Sequence, residues 1–222
     1  PHGLMVSAIQ LGFIPTEGIC AHHHHHHHDM VQDRNSLLAA IKSCGELKDL
    51  QEARRIHAHI LSEEIYPKDV YVSTVLLRVY FKCGAIREAE KVFEDLPRRK
   101  LGSWNSLIVG YVRHGLSDEA LSCFRQMRDE GISPNVVTFT CILKVCSAIR
   151  SLDIGQMIHE EVRKQMLLEN DIMVGVALVD MYAKCGELEK AKNVFDAIPL
   201  RDVVIWDALI GGYAQQGLVD EA

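Results

Sequence analysis

Apolar residues recur along this chain with the period of an amphipathic helix. In the clearest stretch they are three or four residues apart, first at Trp104, Leu107, Ile108 and Tyr111 and then at Ala120, Phe124 and Met127. Each set lies on one face of a helix. A glycine separates the two sets and acidic residues open the second, as expected where one helix ends in a left-handed turn and another begins. The pattern predicts a helical hairpin, and it recurs around Gly84, Gly115, Gly186 and Gly217.

The hairpins belong to a larger repeat of 102 residues. Residues 79–93 (VYFKCGAIREAEKVF) and 181–195 (MYAKCGELEKAKNVF) are near copies at this offset, which also relates Trp104 to Trp206. Many matches at one fixed shift indicate stacked repeats, each burying its apolar surface on its neighbours. Aligning the hairpins divides the chain into a long repeat (34–69), a short repeat (70–100), a standard repeat (101–135), a second long repeat (136–171), a second short repeat (172–202) and a truncated standard repeat (203–222).

Composition agrees with an ordered helical chain. Of the 222 residues, 48% are apolar, 6% are aromatic and six are proline, which is unlike a disordered protein. The formal charge of −6 argues against a partner rich in phosphate. Residues 1–33 hold three of the acids and no Lys or Arg, so the remainder carries 24 basic against 27 acidic residues. This near balance leaves room for a local basic stripe.

Residues 1–33 are expected to lie outside the repeats as a disordered segment. Seven consecutive histidines, His22 to His28, are interpreted as a tag or a low-complexity run, because a bare run has no fixed ligand geometry. The apolar stretch Leu4 to Ile14 is too short to span a membrane, so no membrane partner is predicted. The chain begins at Pro1 and stops within a hairpin pattern at Ala222. We therefore interpret it as a fragment, with any targeting peptide outside it.

No arrangement of residues predicts catalysis, a cofactor or a metal site. The seven cysteines include no CxxC pair, which disfavours a disulfide framework and a zinc knuckle. His159 and Glu160 begin a string like HExxH, but Arg163 stands where the second histidine is required. The signature of zinc deaminases, a His-x-Glu string followed by Pro-Cys-x-x-Cys, is absent. We predict that the chain is not an enzyme and needs no cofactor.

The repeats resemble the pentatricopeptide repeats of the plant PLS subclass, in which long, short and standard repeats alternate. The resemblance covers residues 34–222 and rests on YAKCG and its copy FKCG, WNSLIVGYVRHGLSDEAL and WDALIGGYAQQGLVDEA, GISPN, IHAHI and GQMIHEEV. It implies an all-α fold, a right-handed α-solenoid of stacked antiparallel helical hairpins. It also implies sequence-specific binding of single-stranded RNA in a mitochondrion or chloroplast, at about one base per repeat. Such a chain would be an adaptor for RNA editing or other RNA processing, with any DYW-type deaminase domain beyond Ala222 or on a partner.

In the family that this chain resembles, a base is read by the polar residue after the aromatic of the first helix, together with the last residue of the repeat. Carried over here, the pairs are Asn105 with Asn135, Thr140 with Asp171, Val176 with Asp202, Thr74 with Lys100, and Leu38 with Asp69, and Asp207 is the first member of a truncated pair. The first pair implies a pyrimidine such as cytosine, and the second implies guanine if long repeats obey the same rule. Val176 and Leu38 depart from the pattern because they cannot hydrogen-bond, and Lys100 is unusual at a repeat end.

Bases in the family are also sandwiched between apolar side chains near the start of each repeat. The corresponding residues are Tyr71, Val137, Met173 and Val204, and Gly102 occupies this place in the complete standard repeat. Because glycine has no side chain for the sandwich, we expect a weaker hold on the base opposite Asn105.

A helical scaffold of the tetratricopeptide type, which binds other proteins, is the alternative interpretation. Trp104, Leu107, Tyr111, Ala120 and Phe124 fit its spacing. Two features oppose it, because Ile108 stands where that family has glycine and because repeats of 36, 31 and 35 residues do not keep a constant 34.

Overall fold

The computed structural model describes residues 26–62, 69–199, 203–215 and 217, without the side chains of residues 26–33 and 169. Within them it contains eleven α-helices, one short 3-10 helix and no strand. The chain divides into two compact units, Pro1–Asp95 and Leu96–Ala222. None of the described helices is both long and apolar enough to cross a membrane. The predicted all-α fold of antiparallel hairpins is confirmed within each unit.

The first unit contains two hairpins. Its helices are α1 (His26–Leu47), α2 (Leu50–Ser62), α3 (Val70–Lys82) and α4 (Ile86–Glu94). α1 packs on α2 and α3, and α3 packs on α4. α1 begins at His26, so residues 26–33, which we placed before the repeats, are helical. The rest of that segment, including His22 to residue 25, lies outside the described residues.

The second unit continues the same arrangement. Its helices are α5 (Leu101–Arg113), α6 (Ser117–Asp129), α7 (Val136–Ile149), α8 (Leu152–Lys164), α9 (Ile172–Lys184), α10 (Leu188–Ala197) and α11 (Val203–Gln215), with the 3-10 helix Leu167–Glu169 between α8 and α9. The first helix of each hairpin, from α3 onwards, starts at the first residue of a repeat inferred from the sequence.

Left-handed residues close the hairpin turns. Gly84 and Gly186 have φ of 74° and 87°, a conformation that costs glycine little. The long repeats use another solution, because Lys48 and Arg150 both adopt φ of 54° after their first helices. These two residues are 102 positions apart, so the non-glycine turn is a repeated feature of the long hairpin.

Buried apolar residues form the core between helices. Trp104, Ile108 and Met127 are fully buried, and Phe124 is 2% exposed, so the predicted core of the standard hairpin is confirmed. Trp206, the copy of Trp104, is 48% exposed and contacts the Phe195 ring edge-on at 4.5 Å. Trp104 is covered because α6 packs over α5, whereas the residues of this chain that correspond to α6, 219–222, lie outside the described residues.

Candidate nucleic-acid interface

In the second unit, the first helices of successive hairpins lie side by side. α7 packs against α5 and α9, and α9 also packs against α11. The fifth residue of each repeat therefore occurs once on each of four neighbouring helices. These residues are Asn105, Thr140, Val176 and Asp207.

Asn105 and Asn135, which the sequence interpretation pairs, are joined directly. The Asn105 Nδ2 group donates to Asn135 Oδ1 at 3.0 Å. Both side chains are half-buried. Asn135 is also the N-cap of α7, where its Oδ1 accepts the backbone N–H of Thr138 at 3.2 Å, the usual role of asparagine at a helix start. The cap of one hairpin thus fixes the base-reading candidate of the preceding one.

Thr138 is a third member of this cluster, which the sequence interpretation missed. Its side chain is fully buried, and its hydroxyl donates to Asn105 Oδ1 at 2.7 Å. The same oxygen accepts the backbone N–H of Asn135 at 3.2 Å. Asn135 and Thr138 have the spacing of a capping box. This spacing is the signal in the sequence from which their contact could have been predicted.

Thr140 and Asp171 are held separately. The Thr140 hydroxyl donates to the Val136 carbonyl at 2.8 Å, so its oxygen lone pairs are what it offers to a ligand. Asp171 is the N-cap of α9 and accepts the Met173 backbone N–H at 2.8 Å. Both residues are half-buried.

The remaining candidates of the second unit differ in accessibility. Val176 is half-buried, and Asp207 and Lys100 are exposed. The Lys100 backbone N–H donates to Ser103 Oγ at 3.0 Å. This hydrogen bond involves only the backbone, so the Lys100 ammonium group stays at the surface. Asp202 lies outside the described residues.

The first unit places its candidates less uniformly. The Thr74 hydroxyl donates to the Val70 carbonyl at 2.6 Å, as Thr140 does in its own helix. Leu38 is only 6% exposed and belongs to the core, because α1 packs on both α2 and α3. The structure therefore places Leu38 in the interior and not on a base-reading surface.

Asp69 is engaged by a cation and by the start of α3. Arg34 Nε donates to its Oδ2 at 2.7 Å, and the backbone N–H groups of Tyr71 and Val72 donate to its Oδ1. Burial opposes ionisation, but Arg34 and the two backbone donors together hold the pKa of Asp69 below its ordinary value. The carboxylate is thus charged and oriented, and the Arg34 guanidinium also lies 5.4 Å from the centre of the Tyr71 ring.

The four predicted sandwich residues are all exposed despite being apolar. Their exposed fractions are 52% for Tyr71, 43% for Val137, 55% for Met173 and 53% for Val204. Each is the second residue of a first helix. Exposed apolar side chains that recur at one position form the kind of surface that a ligand or partner covers. Gly102 holds the same position on α5 and is also exposed.

Basic side chains lie near these candidates. Lys144 follows Thr140 by four residues on α7, so it lies on the same helix face, and it is exposed. Arg113, at the end of α5, is exposed as well. Both cations lower the pKa of the Cys141 thiol, although burial acts more strongly and leaves that pKa raised overall. Two cations therefore lie close to the face that holds Thr140.

Cysteine and histidine side chains that could react are buried or hydrogen-bonded within the fold. Burial raises the pKa of Cys123 and Cys146 to about 12, so these thiols stay neutral. The His159 ring nitrogen Nδ1 lies 2.9 Å from the Tyr182 hydroxyl, and burial lowers the pKa of this histidine. Among the described residues, no group of three or more His, Cys, Asp or Glu side chains could hold a metal ion.

Sequence profiles identify the repeats. The profile of the PPR repeat family matches residues 100–148, and that of the PPR repeat matches residues 71–101, 176–203 and 204–222. Together they cover more than half of the chain. The chain belongs to the pentatricopeptide repeat family.

Other pentatricopeptide repeat proteins align over most of this chain. The putative pentatricopeptide repeat-containing protein At3g28640 of Arabidopsis thaliana is 38% identical over 186 residues, which are 84% of this chain and 36% of that protein. The Arabidopsis pentatricopeptide repeat-containing proteins At4g18520, chloroplastic, and At3g13770, named as putative and mitochondrial, are each 37% identical and cover 87% and 83% of this chain. The alignments cover 31% and 29% of those two proteins. The chain therefore spans about a third of the length of these relatives.

A solved pentatricopeptide repeat structure has the same fold. The crystal structure of the pentatricopeptide repeat protein PPR10 in complex with an 18-nt psaJ RNA element superimposes with a TM-score of 0.70. The match covers 83% of this chain and 28% of PPR10, at 20% sequence identity. The likeness confirms the predicted helical-repeat fold. At 20% identity it shows the fold alone.

Proposed function

We propose that this pentatricopeptide repeat chain binds single-stranded RNA in a sequence-specific way, at about one base per repeat. The bonded pair of Asn105 and Asn135 is the observation that supports this most directly, because it orients two amide groups at a half-buried surface. Amides meet the donor and acceptor groups of base edges well. The exposed apolar residues Val137, Met173 and Val204 provide faces against which bases stack.

The biological setting of this proposal comes from the relatives. Two of them are named as chloroplastic and mitochondrial proteins, which supports a mitochondrial or chloroplast location. Membership of the PLS subclass is proposed from the repeat lengths of 36, 31 and 35 residues. We further propose that the chain is a non-enzymatic adaptor that brings editing or other processing factors to organellar RNA.

The repeat map is part of the proposal. The first helices starting at Val70, Leu101, Val136 and Ile172 support repeats beginning at 70, 101, 136 and 172. A protease that cuts only accessible backbone is expected to cleave between these hairpins before it cleaves within them, because each hairpin is held together by its own packed helix pair. Early cleavage inside residues 101–129 would contradict this division.

Base exchange at one repeat tests the reading pair. The chain is presented with a pool of randomised RNA at low salt, and bound sequences are compared with those selected by the double variant Asn105→Thr, Asn135→Asp. The preferred base at one position should change from a pyrimidine toward guanine, because the variant repeats the Thr140 and Asp171 pair of this same chain. Preferences at the other positions are the internal control. An unchanged preference would contradict the assignment of the pair.

Phosphate contacts should supply much of the affinity. Lys144 and Arg113 are the exposed cations near Thr140. Replacing Lys144 with Gln should weaken binding to all RNA sequences about equally and reduce the salt slope by about one ion. Arg125, which is exposed on α6, is the matched control cation. If RNA does not bind even at low salt while a helical peptide does, the protein-binding scaffold becomes the better interpretation.

A further inference from the structure

We propose that Thr138 is a positioning residue that makes the Asn105 repeat prefer cytosine to uracil. This inference rests on the proposed RNA-binding function. It begins from the Thr138 hydroxyl, which is fully buried and lies within hydrogen-bond distance of Asn105 in the preceding hairpin and of Asn135 at the start of its own helix. Its distances are 2.7 Å to Asn105 Oδ1 and 3.1 Å to Asn135 Oδ1.

A hydroxyl has one hydrogen, and here the shorter contact takes it. The Thr138 hydroxyl therefore donates to Asn105 Oδ1, while its oxygen accepts the Asn135 backbone N–H. Asn135 Oδ1 already accepts hydrogen bonds from the Thr138 backbone N–H and from one Asn105 Nδ2 hydrogen. A 180° rotation of the Asn105 amide would remove the acceptor that the Thr138 hydroxyl has at 2.7 Å, leave that hydroxyl only Asn135 Oδ1 at 3.1 Å, and set the Asn105 oxygen against Asn135 Oδ1. Thr138 and Asn135 thus together hold the amide in one of its two orientations.

The fixed orientation decides which groups a base meets. Both amide oxygens of the pair are turned toward protein donors, so the remaining hydrogen of Asn105 Nδ2 and the Nδ2 group of Asn135 are left to face a ligand. Cytosine presents two neighbouring acceptors, N3 and O2, on its pairing edge. Uracil presents an N3–H donor between two carbonyls. A donor surface suits cytosine and opposes the uracil N3–H.

The described first helices α3, α5 and α9 lack this device. Val174 and Val72 occupy the position of Thr138 on α9 and α3, and both are fully buried. Ser103 occupies it on α5, but its hydroxyl donates to the Lys100 carbonyl at 2.8 Å and accepts the Lys100 N–H. Valine is therefore tolerated here by the fold, and Ser103 supplies a control residue with a capping role alone.

The test compares Thr138→Val with Thr138→Ser and Ser103→Ala. Affinities are measured by competition between RNAs that differ only in C or U opposite the Asn105 repeat, with unfolding midpoints recorded for every variant. We expect Thr138→Val to reduce the C-to-U affinity ratio about fivefold to tenfold, because the Asn105 amide loses one of the two contacts that hold its orientation and more often turns its oxygen toward uracil N3–H. Thr138→Ser should keep the ratio of the unmodified chain. Ser103→Ala should also keep it, although it loses a comparable cap.

Two results would overturn the inference alone: a Thr138→Val chain that binds RNA with an unchanged ratio, or equal loss of the ratio in Ser103→Ala. If the unmodified chain binds no RNA, both the proposed function and this inference fall. A measurement without variants also applies, should Thr138→Val fail to fold. In the NMR spectrum of the unmodified chain, one Asn105 side-chain amide proton should be protected from exchange, and two rapidly exchanging protons would contradict a fixed amide.

Discussion

The two long and short repeat pairs of this chain, residues 34–100 and 136–202, are copies with one conserved contact and two altered ones. The conserved contact joins a histidine of the long repeat to a tyrosine of the short repeat. His57 Nδ1 lies 2.9 Å from the Tyr80 hydroxyl, and the His159 and Tyr182 pair has the same distance and the same ring separation of 5.6 Å. A buried polar pair is retained because losing either partner leaves the other unsatisfied.

The first altered contact exchanges volume between two helices. Ala53 and Val79 in the first copy correspond to Gly155 and Met181 in the second, and all four are buried. A Cβ on Gly155 would overlap the sulfur of Met181. The smaller residue on one helix thus matches the larger one on its neighbour, as expected where interiors are closely packed.

The second altered contact concerns charge. In the first copy, Arg54 on α2 and Glu88 on α4 form a salt bridge. In the second copy Gln156 and Lys190 take these places, and Lys190 bonds Glu187 on its own hairpin instead. A cleft of about 630 Å³ lies beside Gln156 and Lys190 in the second unit. Apolar packing is conserved by compensation, whereas the surface ion pair is simply lost.

The largest effect is expected from breaking the volume match. Gly155→Ala should lower the free energy of unfolding by about 1–2 kcal/mol, because the added methyl group displaces the fully buried Met181 side chain and this cost exceeds the gain from replacing a helical glycine. Adding Met181→Val reproduces the first copy and should restore stability, with a gain of about 0.5–1 kcal/mol from replacing a helical glycine. Urea denaturation followed by circular dichroism measures both. A double variant no better than Gly155→Ala would show that the two residues are not coupled.

The conserved polar pair should give a smaller and equal effect in both copies. Tyr80→Phe and Tyr182→Phe should each cost about 0.5–1.5 kcal/mol of unfolding free energy, because each removes one hydrogen bond and leaves a half-buried histidine unpaired. Tyr213→Phe, at a half-buried position without such a partner among the described residues, is the control. Hydrogen exchange of α3 and α9 reports each copy separately. Markedly unequal losses would break the equivalence of the copies.

The dependence of stability on pH should compare the two histidines of the conserved contact, with a smaller expected change. Burial lowers the pKa of both His57 and His159, so below the ordinary histidine pKa of about 6.5 the unfolded chain binds more protons than the native one. Stability should therefore be fullest above that value and fall as pH falls through the lowered native pKa values. His57→Gln with His159→Gln should flatten the profile between about pH 7 and 5. An unaltered profile would mean that neither histidine titrates on unfolding.

The smallest effect is expected at the altered charge pair. Gln156→Arg with Lys190→Glu would transfer the ion pair of the first copy to the second. The unfolding midpoint should change less than in Tyr182→Phe, because exposed ion pairs are screened by water and salt. Arg54→Gln with Glu88→Lys is the reciprocal control. A large shift in either variant would show that this contact, and not the apolar packing, determines how the hairpins stack.

The hairpins were predictable from local sequence, because the recurrence of apolar residues located them. The sandwich candidates Val137, Met173 and Val204 came from the family resemblance, and all three side chains are exposed. Thr138 was missed because its role needs Asn105, 33 residues earlier, to be brought against it. The interior position of Leu38 also could not be seen, since leucine suits both an apolar surface and a core, and only packing by α2 and α3 decides between them.

The sequence by itself determined the helical hairpins, which follow from helix periodicity, turn glycines and a 102-residue offset, all of which are local or simply repeated. The repeat family followed from the resemblance of its motifs, such as YAKCG and GISPN. Only the tertiary structure decided that Lys48 and Arg150 close the long hairpins, that Asp69 is held by Arg34, and that Thr138 fixes the Asn105 amide. The last two contacts join residues 35 and 33 positions apart, and their geometry exists only after one hairpin has docked on the next.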